Sequence, residues 1–596
     1  MNDGILLERR LFLLSLALIC GFSSLIFVFW FVQVIHGEKY LDLSSNNRIR
    51  RVVIPALRGR IFSREGAILV DNRPSFNSVL DWDALKNKKK LEYLAQLLGI
   101  SIESLREKIR QYKGVPYIPM ILMKDVAMPD LIEMEDMKLK IPELSVEVVP
   151  IRRYINKNWA SQSLGYVGAI NEREYEALKT KGYRATDVIG KTGVELYCEL
   201  YLRGISGGMQ VQVDSRGYRD QILRQLNPIP GHDVWLTIDK RLQDIMENQL
   251  DGRVAAGVAV NPQTGEILAM VSKPGFDPNI FTQSSAPNSV VNLIHDKSKP
   301  LINRATQGEF PPGSPFKLII SIAALSEGLI NKNTTFFCKG VYKLGHATFH
   351  CWKPSGHGEM DLLHAIQNSC NVYYYNVGQM LGPDRIAKMA RAFGFGSKTK
   401  LDIGNERDGI VPDLAWKKSE LKQSWYGGET LNYAIGQGFL TVTPIQMAMM
   451  VSAIANGGSM WRPYLMQRVV SRKERVLIEV EPRLLYRVPV KEDILSIVRE
   501  GMRRVVQDNR GTGRLSQVKG MQIGGKTGTI QVAKGDEFIK HGWFVAFAPY
   551  KDPEIVLVLF VEHVESGGRD IAPISGKILN AYFRTDTDTQ KVVEEE

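Results

Sequence analysis

The sequence predicts an anchored protein of two folded domains. One N-terminal transmembrane helix precedes a mixed α+β pedestal, which leads into a larger α/β (α+β) domain with an antiparallel sheet and a helical subdomain. Three observations carry that prediction: Leu11–Ile35 contains no charged residue, the pattern of the chain changes around Gly231–Asp239, and strand–turn–strand patterns lie at both ends of the C-terminal stretch beyond that change. At 596 residues the chain exceeds one ordinary domain. An apolar share of 44% beside 23% charged residues excludes wholesale disorder. The net charge of +12 is scattered and carries no nucleic-acid-binding signature, so no nucleic acid is expected as a partner.

Residues 1–10 form a short N-terminus, which Arg9 and Arg10 place on the cytoplasmic side. Residues 11–35 exceed the ~20 apolar residues that a spanning helix needs. Trp30-Phe31-Val32 continues the run where a cleavable leader would carry small residues, so an uncleaved single-pass anchor is predicted, with the bulk of the chain outside. Residues 40–235, the pedestal, hold short alternating runs and a charged helical stretch over Asp83–Tyr112. Asp233–Asp239 reads as a strand entering a helix near Lys240–Leu250, and the second domain is assigned to 236–583. Gly257–Val271 reads as a β-hairpin closed by a Pro/Gly turn, and Trp543–Ala548 with Glu554–His563 as another. A helix is predicted over Ser575–Phe583, and the polar, acidic tail 584–596 is predicted disordered.

Three short motifs carry the chemistry. Ser314-Pro315-Phe316-Lys317 follows the turn residues Pro311-Pro312-Gly313 and opens an apolar helix. Positions i and i+3 share a helix face, so Ser314 and Lys317 are directed into one cleft. A serine hydroxyl needs a base to become a nucleophile, and a desolvated lysine is one. In Ser369-Cys370-Asn371 the hydroxyl can relay a proton and the amide can hold a substrate carbonyl. In Lys526-Thr527-Gly528-Thr529 the lysine offers charge to a substrate carboxylate, the threonines offer hydrogen bonds, and Gly528 allows close approach. Ser397, Ser419, Ser516 and Lys191-Thr192-Gly193 repeat fragments of these motifs, but only Ser314 stands between a turn and an apolar helix.

That order of motifs resembles the penicillin-binding proteins and serine β-lactamases. The likeness extends to Arg58-Gly59-Arg60-Ile61, with Ser63 where the family carries Asp, to Ile189–Glu195 and Leu202-Arg203-Gly204, and to Gly436-Gln437-Gly438 and Thr443-Pro444-Ile445-Gln446. These are similar to the class B branch, and Cys351-Trp352 followed by Gly356-His357-Gly358 to its elongation-specific members. The division-specific paralogue is the alternative. The resemblance implies a serine-type D-Ala-D-Ala transpeptidase that cross-links peptidoglycan stem peptides, joining a D-Ala-D-Ala donor to an amine acceptor, and that is a target of β-lactams. Catalytic residues are then Ser314, Lys317, Ser369, Asn371 and Lys526, with Thr527, Gly528 and Thr529 binding substrate. Ser314 and Thr529 backbone N–H groups form the oxyanion hole, and no cofactor is required. Implied partners are a RodA-type glycosyltransferase and other elongation-complex membrane proteins at the inner membrane.

Outside the anchor, Cys338 and Cys351 are spaced to bridge a hairpin, while Cys338, Cys351, His357 and Cys370 make a possible tetrahedral zinc set such as some relatives carry. Both readings stand at this point, and Gly356 departs from the family's usual acidic residue. A β-lactam sensor or β-lactamase using the same Ser–Lys pair would have no use for the pedestal. A scaffold without catalysis would not need every motif intact.

Overall fold

The computed structural model describes residues 2–38, 49–80, 88–97, 101–111, 120–213, 219–282, 287–534 and 537–584. They form two compact units. One comprises Met1–Leu57, Pro74–Pro150 and Ile205–Pro230, and the other Arg58–Arg73, Ile151–Gly204 and Gly231–Glu596.

In the first unit, helix α1 (Asn2–Trp30) continues through a π-helical turn to Ile35. Every side chain from Leu11 to Ile35 faces outward, and the stretch Arg9–Ile35 has a mean hydropathy of 2.5. A helix satisfies its own backbone hydrogen bonds, which hydrocarbon cannot do for it. Strands β1 (Ile49–Ile54), β2 (Gly207–Val213) and β3 (Arg219–Leu226) form an antiparallel sheet in the order β1-β2-β3. The charged stretch predicted as one helix contains two, Lys88–Leu97 and Ile102–Gln111. Each turns a leucine stripe inward: Leu91, Leu94 and Leu105 share a small core with Met134, Ile141 and Leu144.

The second unit is built on a five-stranded antiparallel sheet. Its strands are β4 (Ala255–Val260), β5 (Ile267–Lys273), β6 (Gly524–Lys534), β7 (Glu537–Ala548) and β8 (Ile555–Val561), in the order β5-β4-β8-β7-β6. Every residue of β4, β5 and β8 is buried, which is why they read as unbroken apolar runs and not as alternating ones. Both predicted hairpins are pairs of this sheet, although β4 and β8, distant in sequence, are neighbours in space. Helices α2 (Lys240–Gln249) and α8 (Ala572–Phe583) pack on it. Helix α8 starts three residues before the predicted Ser575, with Pro573 in its first turn. The helical part contains α3 (Lys317–Ser326), α4 (Leu362–Gln367), α5 (Asn371–Ala392), the wholly buried α6 (Pro444–Ala455) and α7 (Glu492–Gln507). The tail predicted disordered, beyond Arg584, lies outside the described residues.

Several motifs turn out to be folding devices. Thr443 and Gln446 form a capping box at the start of α6, and Gln446 Nε2 also donates to Ser397 O (2.9 Å) and Asp408 O (2.7 Å). The Arg58-Gly59 and Glu195 motifs meet: fully buried Glu195 accepts Arg58 Nε at 2.7 Å and Arg152 Nε at 2.7 Å, and Arg152 Nη1 donates to Gly59 O at 2.6 Å. Burial opposes its charge, but Arg152 and Arg58 hold the Glu195 carboxyl below the ordinary value. Val194, Cys198 and Leu202 beside this cluster belong to the same apolar core as the sheet. Removing one partner of a buried ion pair costs about 3–5 kcal/mol. Glu195→Ala should therefore lower stability by that order in denaturant titration of the full chain, while Glu176→Ala, in an exposed pair with Lys179, should leave it nearly unchanged.

Candidate active site

The chain enters the site through Pro311-Pro312-Gly313. Trp543 of β7, fully buried, donates Nε1–H to Pro311 O at 2.9 Å, and Phe310 stacks on Phe560 of β8 at 3.8 Å. Gly313, at φ +59°, turns the chain, and its N–H donates to Gly436 O at 2.8 Å. A Cβ on Gly436 would lie 2.1 Å from Gly313 O, which accounts for the first glycine of Gly436-Gln437-Gly438. Ser314–Phe316 form a 3-10 turn that runs into α3, so the predicted helix start is a tighter turn one step earlier. Ser314 is half-buried, and its N–H donates to no described group, as the first residue of a helical turn leaves it free.

Lys317, one turn on, is fully buried. Between α4 and α5 the backbone at Ser369 takes φ +53°, a left-handed conformation that costs a non-glycine residue roughly 1 kcal/mol. That turn gathers three acceptors on Lys317 Nζ: Ser369 O at 2.9 Å, Ser369 Oγ at 3.2 Å and Asn371 Oδ1 at 2.7 Å. From strand β6, Lys526 Nζ donates to the same Ser369 Oγ at 3.0 Å and to Thr527 O at 3.0 Å. The Ser369 hydroxyl thus sits between two amines. All five catalytic candidates named from sequence come together in one cleft or its wall.

Two expectations change in detail. Gly528 faces the Ser314 turn: a Cβ there would meet Pro315 Cδ at 2.6 Å, so the space is taken by Pro315. Lys526 is fully buried and directed at Ser369, so it presents no ammonium to a carboxylate in the cleft. Thr527 Oγ1 bonds Thr512 Oγ1 at 2.9 Å, and Thr529 Oγ1 accepts from Gly567 N at 3.2 Å.

The oxygens around both lysines are uncharged, so burial is not offset by a carboxylate. Burial lowers Lys317 to about 8, the Cys370 and Cys351 sulfurs opposing. Burial, with Lys317 nearby, brings Lys526 well below its ordinary value. A neutral Lys317 can accept a hydroxyl proton, and Ser369 can pass protons between the amines and the cleft. Ser314 Oγ makes no hydrogen bond among the described residues; such contacts commonly tighten only with substrate present.

Cys338, Cys351, His357 and Cys370 also converge, their ligand atoms all within 4.8 Å of one another. His357 Nδ1 lies 3.6 Å from Cys338 Sγ and 3.5 Å from Cys351 Sγ. Ligands about 2.0–2.3 Å from a tetrahedral zinc stand at about that spacing, so the donor set fits the metal. The four cysteines outside the anchor are free thiols, and the Cys338–Cys351 bridge weighed from sequence is not formed. The Cys370 thiol bonds to Cys351, which lowers Cys351 and raises Cys370. Gly356, at φ +73°, is required by the loop: a Cβ would lie 2.2 Å from Cys338 O.

The cleft, of about 910 Å³, is also lined by Trp352, Asn432, Gln437, Thr512, Arg514 and Arg569, which sequence reasoning missed. Gly511-Thr512-Gly513 was the one visible signal, a hydroxyl in a glycine-flanked turn; the others come to the cleft only through the fold. Of the decoys, Ser419 Oγ bonds Trp416 O, Ser516 Oγ bonds Gly513 O, and Lys191 pairs with Glu174.

The Penicillin binding protein transpeptidase domain family matches residues 255–580, and the Penicillin-binding Protein dimerisation domain family residues 53–236. The peptidoglycan D,D-transpeptidase MrdA of Haemophilus influenzae is 32% identical, over 93% of this chain and 88% of its own. In the solved complex of PBP2 and MreC from Helicobacter pylori, a chain 27% identical superposes with a TM-score of 0.77, covering 89% of this chain and 98% of that one. A chain in a structure described as a peptidoglycan synthase complex coordinating polymerization and crosslinking is 32% identical, with a TM-score of 0.73 over 97% and 99%.

If neutral Lys317 is the base, acylation of Ser314 should follow the deprotonated fraction. The rate of adduct formation with a β-lactam should climb with pH up to about 8 and level off above it. A rate flat from pH 6 to 9 would count against a titrating base.

Proposed function

The chain belongs to the penicillin-binding protein transpeptidases, and from that premise we propose that it cross-links peptidoglycan during lateral wall elongation. The observation that carries the chemistry is a fully buried lysine among neutral oxygens, sharing a cleft with Ser314. Ser314 Oγ attacks the carbonyl carbon of the penultimate D-Ala of a stem peptide as Lys317 takes its proton. Ser314 N–H and Thr529 N–H receive the oxyanion. The amide bond breaks, D-Ala leaves with a proton passed through Ser369, and an acyl-enzyme ester remains. An acceptor amine attacks that ester, gives up a proton by the same route, and restores Ser314. Asn371 orients the stem through its amide, and Thr527 and Thr529 face the substrate's terminus.

The chain is membrane-anchored through α1. Arg9 and Arg10 support a cytoplasmic N-terminus, which leaves the second unit on the outer face of the inner membrane. The association of a similar chain with MreC, and of another within a peptidoglycan synthase complex, supports partners in the elongation machinery, a RodA-type glycosyltransferase among them. The division-specific reading is not favoured, because the relative that matches nearly the whole chain is MrdA.

Zinc would be held by Cys338, Cys351, His357 and Cys370. It would supply no reacting group, only a cross-link that fixes Cys370, and with it the strained Ser369 turn beside Lys317.

Benzylpenicillin, which mimics acyl-D-Ala-D-Ala, should form an adduct on Ser314 in peptide maps, and Ser314→Ala should give none. Lys317→Arg keeps the charge but cannot serve as a base, and should lose on the order of 10²–10⁴-fold in acylation rate. Label on Ser397, Ser419 or Ser516 would overturn the assignment. Elemental analysis of the purified chain should find close to one zinc, and chelation should lower its unfolding temperature.

A further inference from the structure

A free carboxylate on a ligand in this cleft needs a cation, and neither buried lysine is available to it. Lys526 and Lys317 are enclosed around Ser369. A third cleft cation, Lys540, is paired with Glu565 at 3.0 Å. Two remain. Arg514 and Arg569 line the cleft, are exposed, and form no side-chain hydrogen bond or ion pair among the described residues. The acidic groups beside them are engaged: Glu565 by Lys540, and Asp570, whose Oδ2 accepts from Ser566 N at 2.8 Å.

Their backbones are fixed beside the threonines of β6. Arg514 follows by two residues Thr512, whose hydroxyl bonds Thr527. Arg569 follows Gly567-Gly568. Gly567 N donates to Thr529 Oγ1, and a Cβ on Gly568 would lie 2.5 Å from Thr512 O and 3.5 Å from Thr527 Cγ2. Such close backbone contact leaves those two segments little freedom to move. A guanidinium carries its donors in a planar fork that matches a carboxylate, and two of them flank the position that Thr527 and Thr529 face.

We infer that Arg514 and Arg569, and not Lys526, supply the positive charge that holds the terminal carboxylate of the donor peptide, and so select substrates with a free C-terminus. This rests on the acyl-transfer reading above and names the residues that set its substrate class.

The test uses the full chain in detergent with benzylpenicillin and its methyl ester, which differ only in that carboxylate. The unaltered protein should be acylated faster by the acid. In the R514Q/R569Q double variant the acid rate should fall about 10- to 100-fold, the scale of lost hydrogen bonds to a charged group, while the ester rate holds. R514K/R569K should recover part of the loss. An equal fall for acid and ester would show a structural effect and overturn the proposal, as would an unchanged acid rate. A fall seen only with stem peptides bearing an internal carboxylate, and not with penicillin, would move the arginines to another part of the ligand and also overturn it. No label on Ser314 in the unaltered protein would overturn the acyl-transfer reading itself.

Discussion

Two amines enclosed around one hydroxyl set the terms for the rest of the site. Lys317 and Lys526 are both fully buried, and both donate to Ser369 Oγ. Neither meets a carboxylate among its described hydrogen-bond partners. Carrying two ammonium charges there would cost several kcal/mol per ion in desolvation, with mutual repulsion added. The less costly state keeps a proton off at neutral pH, and a lysine without its proton is a base. The same arrangement explains why the carboxylate-binding charge must come from elsewhere in the cleft.

Holding that geometry requires three segments far apart in sequence to meet within a few ångströms, and backbone packing achieves it. Pro315 occupies the space left open at Gly528, and Gly313 lies against Gly436. Trp543 ties the approach to Ser314 into the sheet through Pro311 O. At Gly528 and Gly436, one added methyl group would break the contact. On the third segment, Ser369 is held in a left-handed turn next to Cys370, inside the thiol and imidazole cluster. A metal at that cluster would secure the one part of the site that backbone packing alone holds under strain.

The sequence made the catalytic set legible because helical spacing and a turn-then-apolar context separate Ser314 from its decoys, and because apolar runs mark β4, β5 and β8. What it hid has physical reasons. The direction of Lys526 depends on where Ser369 lies, which is a tertiary fact. Arg514 and Arg569 are ordinary surface-type residues until two short helical turns bring them beside β6. Arg58 reads equally well as a solvated loop residue; only the fold shows it paired with Glu195 in the interior. The charged stretch before Tyr112 has a helical pattern throughout, and its division into two helices left no periodicity break that could be read in advance.

The central claim is the neutral state of Lys317, and a direct titration tests it. Lysine labelled with ¹³C at Cε reports the charge of its own ammonium by NMR, and the resonance that vanishes in Lys317→Arg identifies the residue. The buried site predicts a midpoint at about 8 for that resonance. A midpoint near 10.4, the value of an unperturbed lysine, would mean a lysine still charged at neutral pH, and would contradict its role as the base.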